Sequence, residues 1–359
     1  MNNNFEDFLE DNKWLSLDQH FRNYSGNLEK NIELSTKNHR KLKVKLREEL
    51  NKRYHVKKFD GQLAEKLGLE LYDGNVVGVD GTCSDVDLIT GFQARIGIVS
   101  VSYSNRKATY TATISEPFTL ENTDDIQEQM KHLRLKGMGK VGITSSHIRA
   151  IMLFKERDFV LKRPEKYKLV QGDVLPYELR TGQGRLRGLS ACLKLGRKLL
   201  SEDYLAGVQA STSRPELRWL GSALESGEYV ELYDYAKLLD SFLEGDDFTQ
   251  PANFNPQDYS EFRDFNNDVR KIFSVGLYKV KNRSYVIYAP SKKFEEMVHL
   301  AYADSEHQPL RGFPLLLDYA DMICSRLFST RDFETMVNAK LAKQKLLESE
   351  INERLLRRR

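Results

Sequence analysis

The apolar residues of the first 70 positions recur at helical intervals in a strongly charged background. In "HRKLKVKLREELNKRYHVKK", Leu42, Leu46 and Leu50 fall four apart, ahead of Gly61. The pattern predicts a helical arm over residues 1–70. From Asn75 the period changes. "NVVGVDG", "GFQARIGIVSVSY" and "KATYTATISEPF" are rich in β-branched and aromatic residues and are separated by polar turns, which predicts an antiparallel meander. Next come a polar helix around 122–136, a helix in "SSHIRAIMLFKERDFVLKR", a strand in "YKLVQGDV" and a helix in "LSACLKLGRKLLSE". Two further strand-like runs, "FSVGLYKV" and "SYVIYAP", precede helices from "GFPLLLDYADMICSRLF" to "KQKLLESEINERLLRRR". The main domain is expected over 71–345, followed by a basic helical tail at 346–359.

Four acids interrupt this pattern. Asp80 follows the run "VVGV", which reads as a strand with both faces covered, so a carboxylate at its exit must be hydrated, paired or metal-bound. Asp before Gly is also a common turn pair. Glu156 shares a helical stripe with Ile148, Met152 and Phe159, where it either faces the core or pairs with a neighbouring cation. Strand alternation puts Leu169, Gln171 and Asp173 on one face, although Asp173 is also suited to capping the turn before Pro176. Asp321 lies on the stripe Leu317, Cys324, Phe328.

The order of these elements is that of a ribonuclease H-like fold: a strand bearing an acid, two antiparallel strands, a helix with Glu, a strand with Asp and a late acidic helix. The fold class expected is therefore α/β, a mixed sheet flanked by helices with an N-terminal helical arm. In that fold, Asp80, Glu156, Asp173 and Asp321 would converge on two divalent ions. Carboxylate oxygens suit Mn²⁺ or Mg²⁺, and such a pair activates water against a phosphodiester.

Composition narrows the picture. The chain has 359 residues, 40% of them apolar, which is enough for a substantial core, but a formal charge of only +3 proves no nucleic-acid partner. Local clustering matters more: "RTGQGRLRG" and "KLGRK" bring Arg180, Arg185, Arg187, Lys194, Arg197 and Lys198 into a short span that suits phosphate neutralisation or simple solvation. Cys83, Cys192 and Cys324 are far apart, which argues against a zinc site or disulfide framework and suits a cytoplasmic protein. No run is long and apolar enough for a membrane span. "GMGKVG" at 137–142 fits G-x-G-x-x-G but lacks a preceding strand, and neither G-x-x-x-x-G-K-[ST] nor G-x-S-x-G occurs.

Several blocks from Val76 to Lys343 resemble the NurA nuclease family: "VDGTCSD", "VLPYELRTG", "LAGVQASTSRPELRWL" and "GFPLLLDYADM". The resemblance implies a Mn²⁺-dependent DNA nuclease, a homodimer around a DNA channel, and cooperation with a HerA-type hexameric translocase in DNA end processing or phage defence. It matches Asp80 to the first acid, Glu156 to the helix acid and Asp321 to the last helix position, and adds Arg214 as a DNA contact. At the remaining position Gln171 stands where the family has Asp, so Asp173 is expected to supply the missing charge. Two other readings stay open: a non-catalytic DNA clamp or translocase adaptor, and an ATP-binding protein of the related actin-like fold, to whose phosphate loop "VDGT" is similar.

Overall fold

The computed structural model describes residues 17–88, 91–104, 107–117, 145–181, 188–210, 212, 214–244 and 255–346. Arg185, Arg187, the helix expected around 122–136, "GMGKVG" and the tail from Leu347 lie outside the described residues.

The first element is the long helix α1 (Leu17–Arg53), followed by the short strand β1 (Lys57–Lys58) and helix α2 (Gly61–Tyr72). The meander is formed as expected by β2 (Val76–Leu88), β3 (Gly91–Val101) and β4 (Lys107–Pro117), paired antiparallel in sequence order. Helix α3 (Ser145–Leu161) leads to β5 (Tyr167–Gln171), which runs parallel to β2. After α4 (Tyr177–Arg180) and α5 (Leu189–Leu200), β6 (Leu205–Gln209) adds a second parallel strand beside β5. Helix α6 (Pro215–Ser222), β7 (Glu228–Asp234), α7 (Tyr235–Glu244), α8 (Pro256–Asp268), β8 (Phe273–Lys279) and β9 (Ser284–Pro290) follow. The chain then enters α9 (Phe294–Glu306), α10 (Leu315–Leu327) and α11 (Thr330–Lys343).

The described strands form one sheet of nine in the order β1-β7-β8-β9-β6-β5-β2-β3-β4. Period-2 alternation sorts its residues into two cores. Val77, Val79, Ile96 and Ile98 face α3 and α5, whereas Val76, Val99 and Val101 face α2, α9 and α10. Both faces are covered, as the unbroken apolar run before Asp80 implied. Lys57 and Lys58 pair with Tyr229 and Glu228 at the sheet edge, and Leu67 and Leu71 of α2 are buried in the second core.

One register difference shapes the rest of the molecule. β5 pairs with β2 only from Val76 to Val79, while β2 continues against β3 as far as Leu88. Beyond Val79 one side of β2 therefore has no parallel neighbour, and Asp80 is the first residue past that point.

Candidate active site

A cleft of about 610 Å³ opens where β5 ends. Four carboxylates (Asp80, Glu156, Asp173, Glu178) and four arginines (Arg149, Arg157, Arg180, Arg214) line it, together with Gln171, Gln209, Thr212, Tyr177 and Tyr288.

Asp80 does not end its strand, contrary to the sequence expectation. It pairs with Val99 inside the extended ladder, and Gly81 continues the ladder opposite Ile98, so Asp-Gly is not a turn here. The glycine serves close approach instead. A Cβ at Gly81 would lie 2.5 Å from Met152 Sδ and 2.9 Å from Glu156 Oε2, so its absence lets α3 bring Glu156 against β2 beside Asp80. Asp80 is 7% exposed. Burial pushes its carboxyl well above the usual range, and the charges of Glu156 and Asp321 push it further, while the Gly81 backbone N–H and Arg157 pull it down.

Glu156 is buried on α3 as its stripe predicted, and burial raises its pKa against the opposing pull of Arg157. The adjacent Arg157 is wholly buried and bonds Glu156 through Nη1. It also donates to three backbone carbonyls: Nε to Val174 O at 3.1 Å, and Nη2 to Gln171 O at 2.9 Å and Asp173 O at 2.6 Å. One guanidinium thus ties α3 to the turn after β5. The sequence reading missed it, although Arg157 sits four after Leu153 and three before Val160 on a buried stripe, a position that demands a partner.

The expectation that Gln171 and Asp173 share a strand face is corrected by the backbone. β5 stops at Gln171, and Gly172 has φ +83°, a left-handed conformation that breaks the alternation. Both residues still line the cleft. Asp173 Oδ1 accepts the Leu175 N–H at 3.1 Å and the Tyr235 hydroxyl at 2.6 Å, and Oδ2 lies 3.7 Å from Arg180 Nη2. Its carboxylate therefore caps the turn and faces a cation.

Asp321 is exposed on α10, although Leu317 and Cys324 of its stripe are buried. Its charge nevertheless reaches Asp80, and the Cys324 thiol donates to Asp80 O at 3.3 Å, which places this turn of α10 beside the site.

Of the cations expected to meet DNA, Arg180 and Arg214 line the cleft. Arg197 instead pairs with Asp268 at 3.0 Å and stacks over Phe265, while Lys194 and Lys198 are exposed on α5 and are not among the cleft residues. Arg149 was not anticipated: it lies on the exposed flank of α3, within 2.7 Å of Glu178.

Asp80, Glu156 and Asp321 bring like charges together on hard oxygen donors, the chemistry that Mn²⁺ or Mg²⁺ would relieve. As placed, no group of three His, Cys, Asp or Glu side chains among the described residues is set to hold a metal ion. Glu156 is engaged by Arg157, and Asp173 by Tyr235 and Leu175.

No protein-family model and no curated protein sequence matches the chain. Among solved structures, the NurA nuclease from Sulfolobus solfataricus superposes with a TM-score of 0.50 at 13% identity, over 89% of this chain and 97% of that one. A second NurA structure gives 0.49 at 10% identity, covering 87% and 97%, and endonuclease V from Bacillus subtilis gives 0.34 at 9%, covering 82% and 92%. Identities this low speak for architecture alone, and on that ground the chain has a NurA-like, ribonuclease H-like fold: a mixed sheet flanked by helices, entered through an N-terminal helix.

Proposed function

We propose that the protein is a divalent-metal-dependent deoxyribonuclease. The observation that carries this reading is the meeting of Asp80 and Glu156 at the point where β5 leaves β2, within the field of Asp321 and in an arginine-lined cleft. Asp80, Glu156 and Asp321 would hold the metal, Mn²⁺ or Mg²⁺, and a second ion is proposed on the family resemblance. A bound ion of this kind lowers the pKa of a coordinated water and stabilises the leaving oxygen of a phosphodiester. Arg180 and Arg214, with Arg149 at the flank, would seat the DNA backbone through charge-assisted hydrogen bonds. Arg157 holds Glu156 and the turn at Gln171–Val174 in fixed relation to β2. Asp173 orients Arg180 in this reading and is not required as a metal donor.

The resemblance further supports a homodimer that receives DNA from a HerA-type hexameric ATPase, in end processing or phage defence, and the three separated cysteines suit a cytoplasmic protein. A second reading, a weakened nuclease acting as a DNA-gripping adaptor of that motor, is favoured by one observation: Asp173, two residues after the Gln171 that stands where the resemblance places an acid, is already bonded to Leu175 and Tyr235.

Linear DNA, Mn²⁺ and EDTA test the primary reading. Degradation is expected with Mn²⁺, without ATP, and not in EDTA. Asp80→Asn should abolish cleavage while leaving the fold intact, and full activity of that variant would overturn the assignment. Co-purification with a HerA-type ATPase and sizing in solution check the partner and the dimer.

A further inference from the structure

The clearest feature outside the cleft is on α1. Between Glu33 and Glu48 there is no acid, while residues 37–47 carry six cations: Lys37, Arg40, Lys41, Lys43, Lys45 and Arg47. Residues 28–42 are exposed at every position, and among the described residues only Arg47 of the six has an ion-pair partner, Glu228 at 2.5 Å. At 100° per residue the cations fall into two rows, Lys37–Lys41–Lys45 and Arg40–Lys43–Arg47, on either side of Val44. Val44 is 61% exposed, so this face points outward. The opposite face holds the helix on the body: Leu50 is fully buried, Leu46 packs on the core, and the His39 ring lies 5.7 Å from Trp219 of α6.

We propose that this face of α1 is a second nucleic-acid surface, one that grips the phosphates of duplex DNA without reading sequence. The inference rests on the nuclease reading of the cleft for its direction: Arg214, a cleft residue, is the N-cap of α6, against which α1 packs, and Trp219 is five residues along, about 7.5 Å of helix rise. Duplex bound on α1 would therefore continue over α6 toward the cleft. The chemistry selects a duplex. A helix about 10–12 Å across fits a major groove of about 12 Å, and with Arg47 tied to Glu228, Lys37, Lys41 and Lys45 on one side of the outward edge and Arg40 and Lys43 on the other can reach phosphates on both walls. Single strands are gripped by stacking aromatics, and the only ring between residues 36 and 47 is His39, which is turned to Trp219. A membrane surface would need a continuous band of large apolar side chains, whereas the cationic face carries only Val44 and, nearer the start of the helix, Leu34 among the described residues.

The test is equilibrium binding of a 30-base-pair duplex to the full chain in EDTA across a salt series. The wild type is compared with Lys37→Gln/Arg40→Gln/Lys41→Gln/Lys43→Gln/Lys45→Gln. If four of these five side chains neutralise phosphates, the slope of log K against log salt should fall by roughly 3–4. Affinity at moderate salt should fall on the order of 100-fold. The charge-keeping variant, with Arg at Lys37, Lys41, Lys43 and Lys45, should bind like wild type. Lys41→Glu/Lys45→Glu should weaken binding even if the fivefold variant fails to fold, as judged by circular dichroism. Cleavage of a six-nucleotide single strand with Mn²⁺, which offers the α1 surface no duplex, should be unchanged. A slope and affinity untouched by the substitutions would overturn the proposal, as would binding of anionic vesicles in place of duplex. Loss of duplex binding in the variants of a protein that cleaves no DNA would uphold this surface and reject the nuclease reading of the cleft.

Discussion

Replacing Arg157 by Met keeps the volume of the side chain roughly constant and removes every bond it makes, and it should be among the most damaging single changes in the chain. The side chain is fully buried and donates to the carbonyls of Gln171, Asp173 and Val174 and to Glu156. Hydrogen bonds from a charged donor contribute about 1.5–3 kcal/mol each, so three carbonyl bonds set an upper limit of about 4.5–9 kcal/mol. Removing one partner of a buried ion pair typically costs about 3–5 kcal/mol, because the remaining charge is stranded. The two losses overlap, and a net cost of about 4–5 kcal/mol is expected, read as a shift of the urea midpoint and a drop of roughly 6 °C in Tm. The pH dependence has a definite sign. Without Arg157, Glu156 rises further above its ordinary range, and a carboxyl whose folded pKa is raised binds a proton more readily in the folded state than in the unfolded one. The deficit should therefore narrow as pH falls from 8 to 5. Glu156→Gln/Arg157→Met should recover part of the loss by removing the stranded charge. DNA cleavage by Arg157→Met should fall with the order of the turn after β5. A cost under about 1 kcal/mol, or one that is flat with pH, would refute the claim that this guanidinium locks the turn and balances Glu156.

Three further changes probe the remaining links. Gly81→Ala puts a methyl group where Met152 Sδ and Glu156 Oε2 now lie, so cleavage should drop with a stability cost of about 1–3 kcal/mol, measured by activity and urea melts. Asp304, fully buried and accepting from Tyr103 and Leu316, has its pKa raised by burial to about 7, above an unfolded value near 3.9; its contribution to stability should weaken as pH rises from about 4 to 7, and Asp304→Asn should flatten that trend in thermal melts. Asp173→Asn keeps the Oδ1 acceptor and should leave stability within about 1 kcal/mol, whereas Asp173→Ala loses two bonds and should cost about 2–3 kcal/mol. Cleavage separates the roles: a loss in Asp173→Asn matching that of Asp80→Asn would assign Asp173 to the metal.

The order of elements and the covered sheet were legible in the sequence because they depend on local periodicity. Val76 to Val79 is apolar at consecutive positions, and the three meander strands follow one another in both sequence and space, so pattern alone identifies them. The same holds for Glu156, whose burial follows from its place on a helical stripe. β6 and β7 carried no such signal: "LAGVQ" is short, and "EYVELYD" is mostly polar and aromatic. What only the tertiary structure decided is where strands part. That β5 leaves β2 after Val79 depends on pairings between segments some 90 residues apart, and no local period records it. The exposure of Asp321 and the assembly of Arg149, Arg180 and Arg214 on one cleft likewise depend on how separate elements meet. The turn at Gly172 sits between these cases: a glycine marks a possible break in a strand, but only the parallel neighbours on either side of β5 determine that the chain turns there and that Asp173 leaves the face of Gln171.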